Sequence, residues 1–163
     1  LTICLFPDPV LRKKSKPAVW TNPEVQSFIK VLTATLFAQR GGIGIAAPQV
    51  GVPRRIIIVD VSSKEAAYRR KIMLNPSIKS MAGVALSREG CMSLPDYTAN
   101  VTRAMSVVAE WTDLSGRRHT KYFKGLEAIC LQHELDHLNG VLIIDRVASL
   151  KTEVFPRKTR HFT

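Results

Sequence analysis

Hydrophobic positions divide the chain into two helical stretches and several shorter strand-like runs. After Asn22-Pro23-Glu24, the residues Val25, Phe28, Ile29, Leu32 and Leu36 recur at helical spacing. Asn22 is an N-cap, Pro23 suits the first helical position and Glu24 complements the helix dipole, so a helix is predicted to about Gln39, stopped by Gly41-Gly42. A second helix is predicted over 126–138, a run without proline between Gly125 and Asn139-Gly140. Two apolar rows, Leu126, Ile129 and Cys130 on one side and Ala128, Leu131, Leu135 and Leu138 on the other, leave it almost no polar face, which predicts a central, buried helix.

Between the helices the period changes. Ile56 to Val59 and Ile72 to Pro76 are apolar runs, and Met105, Val107, Ala109 and Trp111 alternate with Ser106, Val108 and Glu110. Asp113-Leu114-Ser115-Gly116 is a turn signal leading into Thr120 to Phe123, and these hairpin-like spacings predict antiparallel sheet. Val141 to Ile144 reads as a short buried strand, residues 2–11 as an extended opening with Pro7 and Pro9 as breakers, and residues 62–71, with five charges, as an exposed loop.

Composition narrows the class. A chain of 163 residues is read as one domain, 1–163, with a short basic tail from about 148; at that size about 70% of the extended chain's surface is buried. Hydrophobic content of 45% fits a soluble globular protein, and three cysteines form no disulfide framework, which points to a reducing compartment. No apolar run reaches the roughly 18 residues of a membrane span and no signal peptide is visible. A cytoplasmic location is expected, or an organelle matrix if a leader was removed ahead of Leu1. The net charge of +11 favours an anionic partner such as RNA, a ribosome or a lipid surface. Its basic pairs, among them Lys13-Lys14, Arg54-Arg55 and Arg117-Arg118, are dispersed and lack the interleaved aromatics of single-strand binders, and nothing points to specific DNA.

Two stretches carry candidate chemistry. Gly42-Ile43-Gly44-Ile45-Ala46-Ala47 satisfies a loose dinucleotide fingerprint, but a helix precedes it and a strand follows, the reverse of the required order. Missing side chains there would let another backbone approach, as a bound extended peptide would, and Gln49 adds a neutral amide donor. The second stretch is His133-Glu134-Leu135-Asp136-His137, an H-E-x-x-H sequence on the buried helix. His133 and His137 project from one face a turn apart and can share a metal ion, while Glu134 sits about 100° around, placed to touch an activated water without ligating. Buried imidazoles and a buried carboxylate are costly unless a cation pairs with them.

A third ligand is needed to leave one open position on the metal. The protease extension that would use a histidine at 143 meets Ile143, and Glu153 lies in a stretch without helical pattern. Cys130 shares the helix face but sits about a turn too far back, so it lines the pocket instead. Cys4 and Cys91 remain, the latter within Glu89-Gly90-Cys91-Met92-Ser93-Leu94-Pro95. A thiolate suits zinc or ferrous iron.

Three stretches together, Gly42 to Gln49, Glu89 to Ser93 and Gln132 to His137, resemble the three signature motifs of the peptide deformylases in order and separation, within a similarity running from about Leu5 to Val147. The resemblance implies an α+β fold, with antiparallel β-sheets packed around the central helix that carries H-E-x-x-H, plus an N-terminal helix. It implies one metal held by Cys91, His133 and His137, usually Fe2+, with Zn2+ or Ni2+ able to substitute. The implied reaction removes formate from N-formylmethionine on nascent peptides. Glu134 would act as general base and acid, and Gln49 with the Met92 amide would hold the oxyanion. Ile43, Gly44 and Gly90 would hold the peptide backbone, and Gly42, Leu126, Ile129 and Cys130 would form the methionine pocket. Glu89 and Arg103 match a structural ion pair. Pro156 and Arg157-Lys158 stand where many bacterial members continue into a long C-terminal helix that contacts the ribosome in some of them; here a ribosome contact would fall to the basic surface. Ser87 is polar where some members are apolar, and Asp96-Tyr97-Thr98 is expected near the pocket mouth. The alternative is a metal-stabilised, basic ribosome- or RNA-binding protein of the same fold without deformylase activity; it would need neither Glu134 nor Gln49. Proteolysis, the nearer chemical rival, is disfavoured by an upstream cysteine ligand.

Overall fold

The computed structural model describes residues 1–157; the end of the expected basic tail, Lys158 to Thr163, lies outside the described residues. Helix α1 spans Pro23–Phe37, with the Asn22 side chain accepting from the Glu24 N–H at 2.9 Å, and it stops two residues short of the predicted end. It buries Ile29, Leu32 and Leu36.

Two antiparallel sheets follow. The larger contains β1 (Gly44–Ala46), β2 (Ile56–Val59), β3 (Lys71–Ala82), β6 (Ser106–Thr112) and β7 (Arg118–Lys124), in the order β1-β2-β3-β6-β7. The smaller contains β4 (Ala85–Cys91), β5 (Leu94–Arg103) and β8 (Val154–Pro156), in the order β4-β5-β8. Helix α2, Gly125–Leu138, is the buried central helix.

The unbroken Ile56-Ile57-Ile58-Val59 run shows why α2 is central. Side chains alternate across a strand, so Ile56 and Ile58 join the α1 cluster of Ile29, Leu32 and Leu36, while Ile57 and Val59 join Ala128, Leu131, Leu135 and Leu138 of α2. The large sheet is thus covered by a helix on each face near β2. The small sheet closes a third cluster of Leu94, Ala99 and Val101 with Leu11, Leu142 and Ile143, and Cys91 lies inside it.

Several expected elements differ. Residues 85–103 form the β4–β5 hairpin, which no alternation in the sequence announced: the inward positions near its tip are Glu89 and Cys91, a charged residue and a ligand-type residue rather than aliphatics. The stretch 141–144 is not a strand. Leu142 and Ile143 are buried as expected, but the chain turns into a short 3-10 helix, Ile143–Asp145, closed by the Leu142 N–H donating to Asp145 Oδ2 at 2.8 Å. The extended opening is interrupted by a 3-10 turn at Pro9–Arg12, capped by Asp8. Strand β3 runs six residues beyond Pro76, past an irregularity where Asn75 takes φ 52 and its side chain bonds both the N–H and C=O of Ala18. Within the expected tail, Val154–Pro156 pairs with β5, Thr98 opposite Phe155.

Candidate active site

Helix α2 brings His133 to the wall of a cleft with His137 buried one turn further on, and the end of β4 brings Cys91 to meet them. The ligand-type atoms of these three residues lie within 4.8 Å of one another, with Cys91 Sγ 3.4 Å from His137 Nε2. A tetrahedral ion at about 2.3 Å from sulfur and about 2.05 Å from nitrogen sets these atoms about 3.5 Å apart, so the donor set fits a single metal. Cys4 is not in this group, which resolves the choice between Cys4 and Cys91 geometrically.

The orientation of His133 is set from behind. Its Nδ1 lies 2.9 Å from Glu89 Oε1, which turns Nε2 towards Cys91. Glu89 accepts from Arg103 Nε at 2.9 Å and Nη2 at 2.8 Å, Arg103 Nη1 donates to Asp136 Oδ2 at 2.7 Å, and Arg146 closes the chain on Asp136. Burial alone would raise the Glu89 pKa, but the hydrogen bonds from Arg103 and His133 outweigh it and hold the carboxyl at about 2. The expected Glu89–Arg103 pair is therefore present, extended by Asp136 and Arg146, two members that sequence reasoning missed. Asp136 lies inside the H-E-L-D-H string, yet nothing in its spacing distinguishes it from a solvent-facing acid.

Glu134 is buried, and its Oε2 has no hydrogen-bond partner among the described residues. Burial pushes its pKa up to about 7. Glu134 lines a cavity of about 370 Å³, where a carboxyl that titrates near neutrality can both take and return a proton. Burial lowers the His137 pKa, keeping that imidazole neutral and able to donate a lone pair.

Gln49 is 1% exposed and held at both ends of its amide. Oε1 accepts from the Ala46 N–H at 3.0 Å, so the NH2 must point the other way, to Ser93 Oγ at 3.2 Å and towards Cys91 Sγ at 3.8 Å. Ser93, given no role in the sequence reading, thus positions a donor beside Cys91. The cavity is lined by Gly42, Ile43, Gly44, Gln49, Gly90, Cys91, Met92, Leu126, Ile129, Cys130, His133 and Glu134, which brings the candidate substrate and catalytic positions around one space. Ser87 lines it too, whereas Asp96-Tyr97-Thr98 does not: that stretch lies one strand back on β5, paired with β8.

The glycine-rich stretch needs a revised explanation at one position. A Cβ on Gly44 would meet Cys130 Sγ at 2.6 Å and Glu134 Oε1 at 2.8 Å. The missing side chain there makes room for α2's own site residues rather than for a second backbone. A larger groove, about 600 Å³ and lined by Arg55, Val84, Leu135 and Asp136, opens elsewhere on the surface. It contains none of Cys91, His133 and His137, so donor chemistry rather than size singles out the smaller cavity.

A family profile described as polypeptide deformylase matches residues 1–153. The chain belongs to the polypeptide deformylase family. A peptide deformylase of Thermodesulfovibrio yellowstonii is 40% identical over 97% of this chain and 95% of its own length. Peptide deformylase 2 of Gloeobacter violaceus is 44% identical over 90% of this chain and 79% of its own. Among solved structures, a Synechococcus elongatus peptide deformylase in complex with actinonin superposes with a TM-score of 0.86, at 35% identity, covering 93% of this chain and 82% of its own. A Met-Ala-Ser-bound class I type b peptide deformylase from Acinetobacter baumannii gives 0.83 at 31% identity, covering 90% and 98%. The deformylase fold is accordingly the α+β arrangement of antiparallel sheets around the H-E-x-x-H helix. The chain is a deformylase enzyme, a metal-dependent hydrolase acting on N-formylmethionine at the start of new proteins, and nothing favours the inactive binding protein. No helix among the described residues is long and apolar enough to cross a membrane.

Proposed function

We propose that Cys91, His133 and His137 hold one divalent ion, Fe2+ in the cell with Zn2+ or Ni2+ able to substitute, and that Glu134, Gln49 and Met92 carry out deformylation beside it. The observation that carries this reading is the convergence of a cysteine sulfur and two imidazoles on one point next to a buried carboxyl with one unpaired oxygen. Thiolate with imidazole is a donor set for iron or zinc rather than magnesium or calcium. When bound, the ion supplies Lewis-acid polarisation of the formyl oxygen and acidifies a water.

The chain's own residues do the rest. Glu134 takes a proton from the attacking water on its carboxylate oxygen; the water oxygen bonds to the formyl carbon, the C–N bond breaks, and Glu134 returns the proton to the departing amine as formate leaves. Its elevated pKa suits both transfers. Gln49 Nε2 and the Met92 N–H are the donors for the oxygen that becomes negative in between; losing one such donor typically costs about 3–4 kcal/mol. Gly42, Leu126, Ile129 and Cys130 form the apolar recess for the methionine side chain. β1 and β4 are end strands of their sheets, and the backbones of Ile43, Gly44 and Gly90 beside the cavity suit a peptide added in extended form.

On this reading residues 1–163 are one catalytic domain acting in the cytoplasm on nascent chains, with its basic surface in contact with the ribosome. Ribosome co-sedimentation that weakens with salt supports that contact; binding indifferent to salt, or none, rejects it. The decisive test of the site is formate release from a formylmethionyl peptide by protein loaded anaerobically with iron, and again with nickel, beside Cys91→Ala. Turnover lost with Cys91 supports the ligand set. Full turnover by the variant rejects it.

A further inference from the structure

The catalytic cavity has a charge asymmetry that the reaction at its floor does not use. Arg40, Lys64, Arg88 and Arg157 all line it. Its carboxylates, Glu89 and Glu134, are both buried, and Glu89 is already committed to Arg103. Arg40, Lys64 and Arg88 are exposed, and among the described residues none of these three has a carboxylate within ion-pair distance. They come from three separate segments: Arg40 ahead of β1, Lys64 after β2, and Arg88 on β4 two residues before Gly90.

Arg88 is also fixed in place. Its Nε donates to Thr98 Oγ1 at 2.9 Å, and its guanidinium lies over the Phe155 ring at 3.6 Å from the centroid. Strand β8 therefore braces a cation at the cavity edge, at a side-chain entropy cost that a freely solvated arginine would not carry.

An extended peptide advances about 3.3 Å per residue. With formylmethionine at the floor, its next few residues leave between β1 and β4, past these cations. We propose that this rim is a specificity device that favours formylmethionyl chains with acidic side chains at the second to fourth positions and disfavours basic ones. The inference rests on the deformylase site described above. RNA is the less fitting occupant, because the ring beside Arg88 is already covered and offers no stacking platform for a base.

The test compares kcat/KM for formate release by the metal-loaded enzyme on formyl-Met-Ala-Ser, formyl-Met-Asp-Glu and formyl-Met-Lys-Arg, all as C-terminal amides. Exposed pairs and a Debye length of about 10 Å at 0.1 M salt predict the order acidic, neutral, basic, with extremes about tenfold apart at low salt and within about threefold at 0.5 M. The difference should lie in KM, since these contacts do not change between ground and transition states. Arg40→Glu with Lys64→Glu, both at exposed positions, sets two anions against the remaining Arg88 and Arg157, so the order should flatten towards equal constants. Equal constants for the three peptides in the parent protein overturn the rim proposal while leaving the site reading intact, and RNA competing with the neutral peptide would then reassign these cations. No formate from the neutral peptide overturns the site reading, and this proposal with it.

Discussion

Replacing Glu89 by glutamine removes one negative charge from the buried chain Arg146–Asp136–Arg103–Glu89–His133 without changing its size. The Glu89 side chain is 6% exposed, so little solvent screening softens the effect. Its pKa falls from 4.5 to about 2, burial opposing and the bonds from Arg103 and His133 prevailing. At about 1.4 kcal/mol per pH unit, that difference is worth about 3 kcal/mol, at the lower edge of the roughly 3–5 kcal/mol for breaking a buried ion pair. For a chain of this size the melting temperature should drop by about 6–12 °C at pH 7. The sign with pH follows from a carboxyl whose folded pKa lies below its unfolded one: its contribution is full above about 4.5 and disappears as pH falls towards 2. Urea unfolding of metal-stripped parent and Glu89→Gln at pH 7, 5, 4 and 3 measures this directly. The gap between the two proteins should be largest at pH 7 and close progressively below pH 5. A variant as stable as the parent at pH 7, or a gap that does not narrow on acidification, would refute the reasoning.

Three further outcomes follow from the site. Glu134→Ala should keep its metal, by elemental analysis, and lose at least about 100-fold in kcat, since general acid–base catalysis contributes about that much or more; near-parental turnover removes Glu134 from the mechanism. Gly44→Ala should fold but push aside the Glu134 carboxylate, which the new Cβ would meet at 2.8 Å, lowering kcat by about 10- to 100-fold. Adding Cys130→Ala relieves the 2.6 Å sulfur contact but not the carboxylate contact, so recovery to parental rates in the double variant would contradict this geometry. Cys91→Ala should weaken metal binding, measured by equilibrium dialysis, by more than the roughly 10- to 100-fold typical of losing a group that merely orients a ligand; unchanged affinity would mean that the thiolate is not a ligand.

The parts legible in the sequence were those with strong local signals. The Asn22 cap, the apolar spacing of α1 and the proline-free run of α2 marked both helices to within a few residues, because capping and 3.6-residue periodicity are written locally. The β4–β5 hairpin was not legible. Its structural logic is to bury Glu89 and Cys91 beside the helix, and inward-facing polar residues erase the alternation by which strands are recognised. The error at 141–144 has the opposite origin: Leu142 and Ile143 carry a true burial signal, but so short an apolar run does not specify strand over 3-10 turn when Asp145 can cap the latter.

At the site, the spacing of His133 and His137 by itself put two imidazoles on one helix face with Glu134 beside them, because four residues make little more than one turn. Residue types likewise restricted the third ligand to a cysteine upstream, without deciding between Cys4 and Cys91 until a family resemblance was invoked. What only the tertiary structure decided is what lies far apart in the chain: Cys91 Sγ at 3.4 Å from His137 Nε2, the Gln49 amide against Ser93 Oγ, and Glu89 behind His133. The gathering of Arg40, Lys64, Arg88 and Arg157 around one cavity belongs to the same class. The helix and the chemistry of its face follow from short-range periodicity, whereas distances between segments separated by 40 or more residues depend on which sheet edges meet, as Gln49 and Cys91 do across 42 positions.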